Sequence, residues 1–297
     1  MQAKNGYFKN NFLALVLILP TLVILSLFLY YPTIKTFILS FYQVAFLGLK
    51  KVFVGLENYK ILLTSSEYLQ IFKNTFIFVV WSVGLSLAIG LGLALLANHK
   101  VKGKRIYRLL LIWPYALPPA VAGVIFLFMF NTQTGIINYL LNHLIGQKWA
   151  WLSNPTLAMA VVILASVWKA IGYNVVFYLA GLQNIPGDVL EAALIDGASA
   201  WTRFWKITFP LLSPMTLFLL VMNTISAFFD SFAFIDLLTK GGPAGSTTVL
   251  IYSIYRDGFE YFKTGLAAAE SVFLFGCVVI LTLIQLKCSQ KMVHYAR

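Results

Sequence analysis

Lys169 stands near the middle of a long apolar run, with Tyr173 and Asn174 about one helical turn beyond it. A cation inside a bilayer is costly enough to need a reason. One reason is chemical: the ammonium binds an anionic solute while Tyr173 and Asn174 bond its hydroxyls. The other is architectural: Lys169 pairs with Asp230, Asp236 or Glu270 across a helix bundle. Asn223, also in mid-run, is open to the same division between helix–helix hydrogen bonding and lining a cavity. Arg256 is expected at an external mouth, where it steers an anion or contacts a lipid phosphate. None of this is covalent catalysis, since no nucleophile–base pair or metal-ligand cluster is visible. His143 falls in a loop without ligand partners, and His99 and His294 read as solvated or interfacial. Cys277 and Cys288 read as inert thiols rather than a disulfide or metal site.

The composition says which elements must hold these residues. Of 297 residues, 60% are hydrophobic and 11% charged, against about 25% charged in soluble domains. The net charge of +12 lies in short loops between apolar runs. That distribution points to membrane topology and anionic lipid rather than to nucleic acid. A helical span needs about 20 apolar residues, and runs of that length predict spans at 12–32, 75–97, 109–130, 155–181, 211–235 and 265–286. The expected class is an all-α polytopic membrane bundle of six transmembrane helices, with residues 1–297 as one domain. The run from Phe12 to Tyr31, behind Lys4 and Lys9, exceeds a signal-peptide core and has no small-residue cleavage site, so it reads as an uncleaved span.

Orientation follows from the basic residues. Lys100, Lys102, Lys104, Arg105 and Arg108, with no acid among them, mark a cytoplasmic loop between spans two and three. Both termini then fall inside, with 12 cations on inner segments and 9 on outer ones. Five of the outer cations lie in one loop of about 40 residues, and long loops translocate with less regard to charge.

Two spans have informative interiors. The second carries Gly84, Ala88 and Gly92 on one face and Ser82, Ser86, Gly90 and Ala94 on the other. Small residues on both faces predict a helix packed on both sides. The third contains Pro114, Pro118 and Pro119, which must bend or break it. Irregular backbone at membrane depth survives only against protein or a cavity, so the break favours a transporter over an anchor.

Between spans four and five, at about 184–214, the sequence predicts two short helices. Asp188 suits a helix N-terminus, and Ala192, Ala193 and Leu194 favour helix. Gly197 is placed to end that helix in a left-handed turn. Ser199 can cap a second helix, which Pro210 is expected to end before the fifth span. Val189, Leu190, Ala193, Trp201, Phe204 and Trp205 give the pair an apolar side, and such a surface wants a partner.

Glu191-Ala192-Ala193, then Asp196-Gly197-Ala198, then Ile207-x-x-Pro210 resembles the EAA loop of permease subunits in binding-protein-dependent ABC importers. The nine residues between Gly197 and Ile207 match that family's spacing. Asn184-Ile185-Pro186 and Thr239-Lys-Gly-Gly-Pro243 are similar to the carbohydrate-uptake permeases of the maltose-transporter class. The stretches Pro114–Ala122, Ser166–Lys169, Ala227–Asp230 and Tyr252–Phe259 resemble the A-type permeases of sn-glycerol-3-phosphate importers.

The resemblance implies the transmembrane-domain architecture of a type I ABC importer in the bacterial plasma membrane. It implies a heterodimer with a second permease, two ATP-binding cassette ATPase subunits, an extracytoplasmic solute-binding protein and membrane lipids, with no nucleic acid and no cofactor. Glu191, Asp196 and Gly197 would couple to the ATPase, since this chain has no G-x-x-x-x-G-K-[ST] phosphate loop. Glycerol phosphate is the cargo implied, with a neutral mono- or oligosaccharide as the alternative. A stand-alone secondary transporter or channel would leave the Glu191–Pro214 loop unexplained.

Overall fold

Backbone polar groups in hydrocarbon must be satisfied internally, and a helix does this within one segment. The computed structural model follows that rule. It describes residues 11–45, 50–98 and 103–292; Lys4, Lys9, His99, Lys100, Lys102 and His294 lie outside these. The first span runs through α1 (Asn11–Leu25), a π-helical turn and α2 (Tyr31–Leu39). A β-ribbon follows, β1 (Tyr42–Ala45) antiparallel to β2 (Lys50–Phe53), then α3 (Glu57–Thr64). The long helix α4 (Ser66–Asn98) leads to α5 (Lys104–Ala116), α6 (Pro119–Met129) and the short α7 (Ile136–Ile145). Next come α8 (Pro155–Gln183), α9 (Gly187–Ile195), α10 (Ala200–Arg203) and α11 (Phe209–Leu211). The chain closes with α12 (Ser213–Phe229), α13 (Phe232–Leu238), α14 (Leu250–Tyr255) and α15 (Thr264–Met292).

Among the described residues, four helical segments are long and apolar enough to cross a membrane, and six if each of two bent pairs forms one span. The expected spans therefore exist, with revised limits. The first ends at Leu39 rather than near 32, and the second begins at Ser66. The third is broken as its prolines require, with α5 and α6 meeting at 101°. The fifth bends by 65° between α11 and α12, then breaks again at Asp230 before α13.

Helices α4 and α8 run parallel and form the spine. Near one end, Phe78 and Val83 of α4 share a buried core with Val162 and Ala165 of α8 and with Phe234 and Leu274. Toward the other, Ala94 and Ala97 pack with Tyr178, Leu182 and Leu219. The Ser82, Ser86, Gly90 and Ala94 face of α4 is buried in this packing. The opposite face is not: Gly84 and Gly92 have open space where a Cβ would sit, and Ala88 is exposed. The expectation of a helix packed on both sides is thus met on one side only within this chain.

The end of the bundle away from α9 is tied by polar contacts. Asn74 donates to the carbonyls of Gly245 (2.9 Å) and Thr248 (3.2 Å), and the Leu250 amide donates to the Thr75 hydroxyl (2.9 Å). Tyr68 donates to the buried Asp257 carboxylate, which also lies 3.7 Å from Lys263. Glu270 is fully buried and accepts from Ser253 at 3.3 Å. A hydrogen bond to a charged group contributes about 1.5–3 kcal/mol, so Tyr68→Phe should destabilise by that order. A lower apparent melting temperature in detergent is the expected reading; an unchanged one would contradict the tie.

Candidate functional site

A helix carbonyl is normally bonded by the amide four residues on. For Tyr115 that residue is Pro119, which has no N–H. The break between α5 and α6 therefore leaves a carbonyl at membrane depth without its ordinary donor. Lys169 Nζ supplies the replacement, donating to the Tyr115 carbonyl at 3.3 Å, and sits 5.1 Å from the centre of the Tyr115 ring. Gly172 makes the approach possible, because a Cβ there would lie 2.8 Å from the Ile112 carbonyl. Trp113 meets Trp168 edge-on and Tyr115 packs on Tyr173, so the bend is braced on both sides of the lysine.

Lys169 opens onto a cavity of about 440 Å³ between α4, the α5–α6 break, α8 and α12–α13. Tyr173, Asn223 and Asp230 also line it. Asp230 sits at the C-terminal end of α12, where the chain turns toward α13. Of the two alternatives for Lys169, the ion pair with Asp230, Asp236 or Glu270 does not form within 4 Å: among the described residues the ion pairs found are Arg256–Glu67 at 3.5 Å and Lys263–Asp257. The Lys169 ammonium is satisfied by a carbonyl and a ring instead, which leaves its charge and that of Asp230 facing one space.

The cavity also has a hydroxyl wall. Ser82, Ser166 and Ser231 each present a buried Oγ with no hydrogen-bond partner, and all three line the cavity. Each oxygen is covered by the wall rather than open to the cavity. Ser166 and Ser231 are absent from the sequence-based site. A serine in an apolar run carries no signal until tertiary structure shows where its hydroxyl points.

Asn174 and Asn223 form a polar knot across three helices. Asn223 donates to Asn174 Oδ1 at 2.7 Å and Asn174 donates back at 3.3 Å. Ser86 of α4 donates to Asn223 Oδ1 at 3.3 Å. Gly90 admits the knot, since a Cβ would stand 2.6 Å from that of Asn174. Asn174 is fully buried behind the cavity wall, while Asn223 serves both the knot and the wall. Arg256 lies apart from the cavity, in the π-helical turn after α14. It pairs with Glu67 and stacks 5.3 Å over the Tyr261 ring.

The loop between α8 and α12 forms as its sequence dictates. Asp188 lies in the first turn of α9. Gly197 takes φ +74°, with the Gly197 amide on the Leu194 carbonyl and the Ala198 amide on that of Ala193, the paired bonds of a glycine-terminated helix. Ser199 caps α10 by accepting from the Thr202 amide at 3.2 Å. One expectation fails here. Pro210 does not end the second helix, because a π-helical turn at Phe204–Thr208 absorbs it and the axis continues to Leu211. The bend falls at Leu212, ahead of Pro214.

Glu191, Ala192, Asp196 and Gly197 are exposed, Ala193 is buried, and Ile207 and Pro210 are half-buried. Ile195 and Trp201 stand 86% and 73% exposed, an apolar surface at the tip of the loop. On the same end of the bundle, Arg108 donates to the Ala97 carbonyl at 2.8 Å, closing the last turn of α4.

The family model described as the binding-protein-dependent transport system inner membrane component matches residues 84–294. The sn-glycerol-3-phosphate transport system permease protein of Rhizobium meliloti (strain 1021) is 44% identical over 288 residues, 97% of this chain and 98% of that protein. Its counterpart from Pectobacterium atrosepticum is 41% identical over 295 residues, 99% of this chain and all of that one. A solved bacterial ABC transporter involved in the import of the acidic polysaccharide alginate has the same fold. It superposes with a TM-score of 0.83 over 96% of this chain and 97% of its own, at 23% identity.

The knot makes a specific prediction. Asn223→Ala strands a buried amide on Asn174, at a cost of about 1–3 kcal/mol, whereas replacing both partners with apolar groups is nearly neutral. The single variant should melt lower than the Asn174→Leu/Asn223→Leu pair. Equal or additive losses would mean the two amides are not coupled.

Proposed function

The chain belongs to the family of inner-membrane components of binding-protein-dependent transport systems, and from that premise we propose that it forms the path for sn-glycerol 3-phosphate through such a system. The observation carrying this reading is the cavity in which Lys169, outside any ion pair, faces Asp230, with three serines in the wall. The ammonium would bind the phosphate by a charge-assisted hydrogen bond. Asp230 and the serines would bond the glycerol hydroxyls. Tyr173 and Asn223 shape the wall, Asn174 holds the helices that carry it, and Arg256 organises the far end through Glu67. Relatives named as sn-glycerol-3-phosphate permeases, alike over nearly the full chain, support the cargo.

In this reading the chain pairs with a second permease as a heterodimer, and two ATP-binding cassette subunits supply hydrolysis from the cytoplasm. An extracytoplasmic binding protein delivers the solute. The end of α4, the start of α5 with Arg108, and the α9–α11 loop share one end of the bundle, which supports placing that end and both termini inside. Glu191, Ala192, Ala193, Asp196, Gly197, Ile207 and Pro210 then form the coupling element. Its exposed Ile195 and Trp201 suit a groove on the ATPase. ATP binding would draw the docked loops together and rock the two permeases, turning the cavity from one side to the other. This chain contributes a path and a lever, and makes or breaks no covalent bond.

A neutral sugar is the second reading, favoured by Asp230 and the hydroxyl wall, since both suit polyols without any phosphate. Titrating the cognate binding protein with each solute separates the two. Tight sugar binding with no response to glycerol phosphate would reject the phosphate ester.

Two variants test the roles inside the chain. Lys169→Ala removes a charge-assisted bond of about 1.5–3 kcal/mol, so uptake of glycerol phosphate at limiting concentration should fall about tenfold or more. Unchanged uptake at normal membrane abundance would exclude the lysine as the phosphate ligand. Gly197→Pro and Glu191→Lys should each insert normally yet lose both uptake and binding-protein-stimulated ATP hydrolysis. Full transport by both would refute the docking role.

A further inference from the structure

The segment between α6 and α8 carries an amphipathic helix whose apolar face is uncovered among the described residues. On α7, Ile137, Asn138 and Leu141 turn inward, while Ile136, Tyr139, Leu140 and Leu144 share one outward arc. Tyr139 is 67% and Leu144 76% exposed. We propose that this arc rests in the membrane–water interface with lipid as its partner, so that α7 is an in-plane anchor for the cavity wall.

The first support is depth. Asn138 ties α7 to the chain at the ends of both neighbouring spans. Its amide donates to the carbonyls of Thr132 (3.0 Å) and Trp149 (2.8 Å), and its oxygen accepts from the Trp149 amide (3.1 Å) and the Trp151 indole (2.9 Å). Thr132 follows closely on α6, and Trp151 lies just before α8. Phe130, at the end of α6, meets Trp151 edge-on at 5.3 Å. The helix is therefore held where the two spans leave the hydrocarbon, without slack to rise into solvent.

The second support is chemistry. Tyr139, Trp149 and Trp151 are the residue types that settle at a bilayer interface, apolar in body and polar at one edge. From Asn131 to Asn154 there is no acid, and the one fixed charge is Lys148, which complements lipid phosphates. His143 lies within the arc, where its ring can reach the headgroup layer. The third support is continuity, because apolar exposure runs along α6 through Val121, Val124 and Phe128 toward α7.

An interfacial helix buries its apolar face about 5–10 Å into the headgroup–acyl boundary. The test uses the full chain, assembled with its partner subunits in phosphatidylethanolamine–phosphatidylglycerol vesicles, with Cys277→Ser and Cys288→Ser. A fluorophore is attached at Leu144→Cys or Asn142→Cys, the latter exposed outside the arc. Nitroxide lipids labelled near the headgroup should quench the Leu144 site strongly and the Asn142 site weakly, and aqueous iodide should show the reverse. Equal iodide access at both sites would overturn the proposal. So would shielding of the Leu144 site that appears only when the solute-binding protein is added, which would identify the arc as a protein-docking face.

Discussion

Pro119 cannot donate a hydrogen bond, and the arrangement of the site follows from that one missing N–H. Its absence leaves the Tyr115 carbonyl without a helical donor at the cavity wall. The carbonyl needs a donor from another helix, and Lys169 of α8 provides it. The same contact holds the lysine head at the cavity wall and relieves the ammonium without neutralising it. A carboxylate partner would have cancelled the charge; a carbonyl and an aromatic face leave it available. The helix break and the placement of the lysine charge opposite Asp230 are thus two aspects of one bond. The 101° turn between α5 and α6 also opens the space that the lysine faces.

Around that bond the bundle separates rigidity from reach. The Asn174–Asn223–Ser86 knot and the close approach at Gly90 fix α4, α8 and α12 relative to one another. The residues that line the cavity sit at breaks or on the inner faces: Tyr115 before Pro119, Asp230 between α12 and α13, and the serines between them. The α9–α11 loop shows the same economy. Its left-handed turn at Gly197 fixes the angle of two helices, and its apolar residues are left facing outward.

Local rules made several of these features legible in the sequence. The apolar runs set the spans, the prolines forced the third to break, and Gly197, Ser199 and Asp188 wrote the turn and caps of the loop. Each depends on residues within a few positions of one another. Legibility ended where partners come from distant segments. Lys169 was readable as a costly cation, but its partner, a carbonyl released by a proline 50 residues earlier, is not a titratable group and left no trace among the acids. Pro210 was expected to stop a helix, yet a π-helical turn absorbed it. Small residues on both faces of α4 looked alike, though only one face meets this chain. The β-ribbon after α2 went unread because its strands are short and β1 packs against α15, a segment distant in sequence.

The central claim is that the charge of Lys169 is held open to receive an anion. A high-resolution structure of the assembled transporter, trapped with glycerol phosphate during translocation, tests it directly. Phosphate density within hydrogen-bonding distance of Lys169 Nζ, with glycerol hydroxyls toward Ser82, Ser166 or Asp230, is the expected result. Cargo held only by the second permease, with water alone beside Lys169, would contradict it.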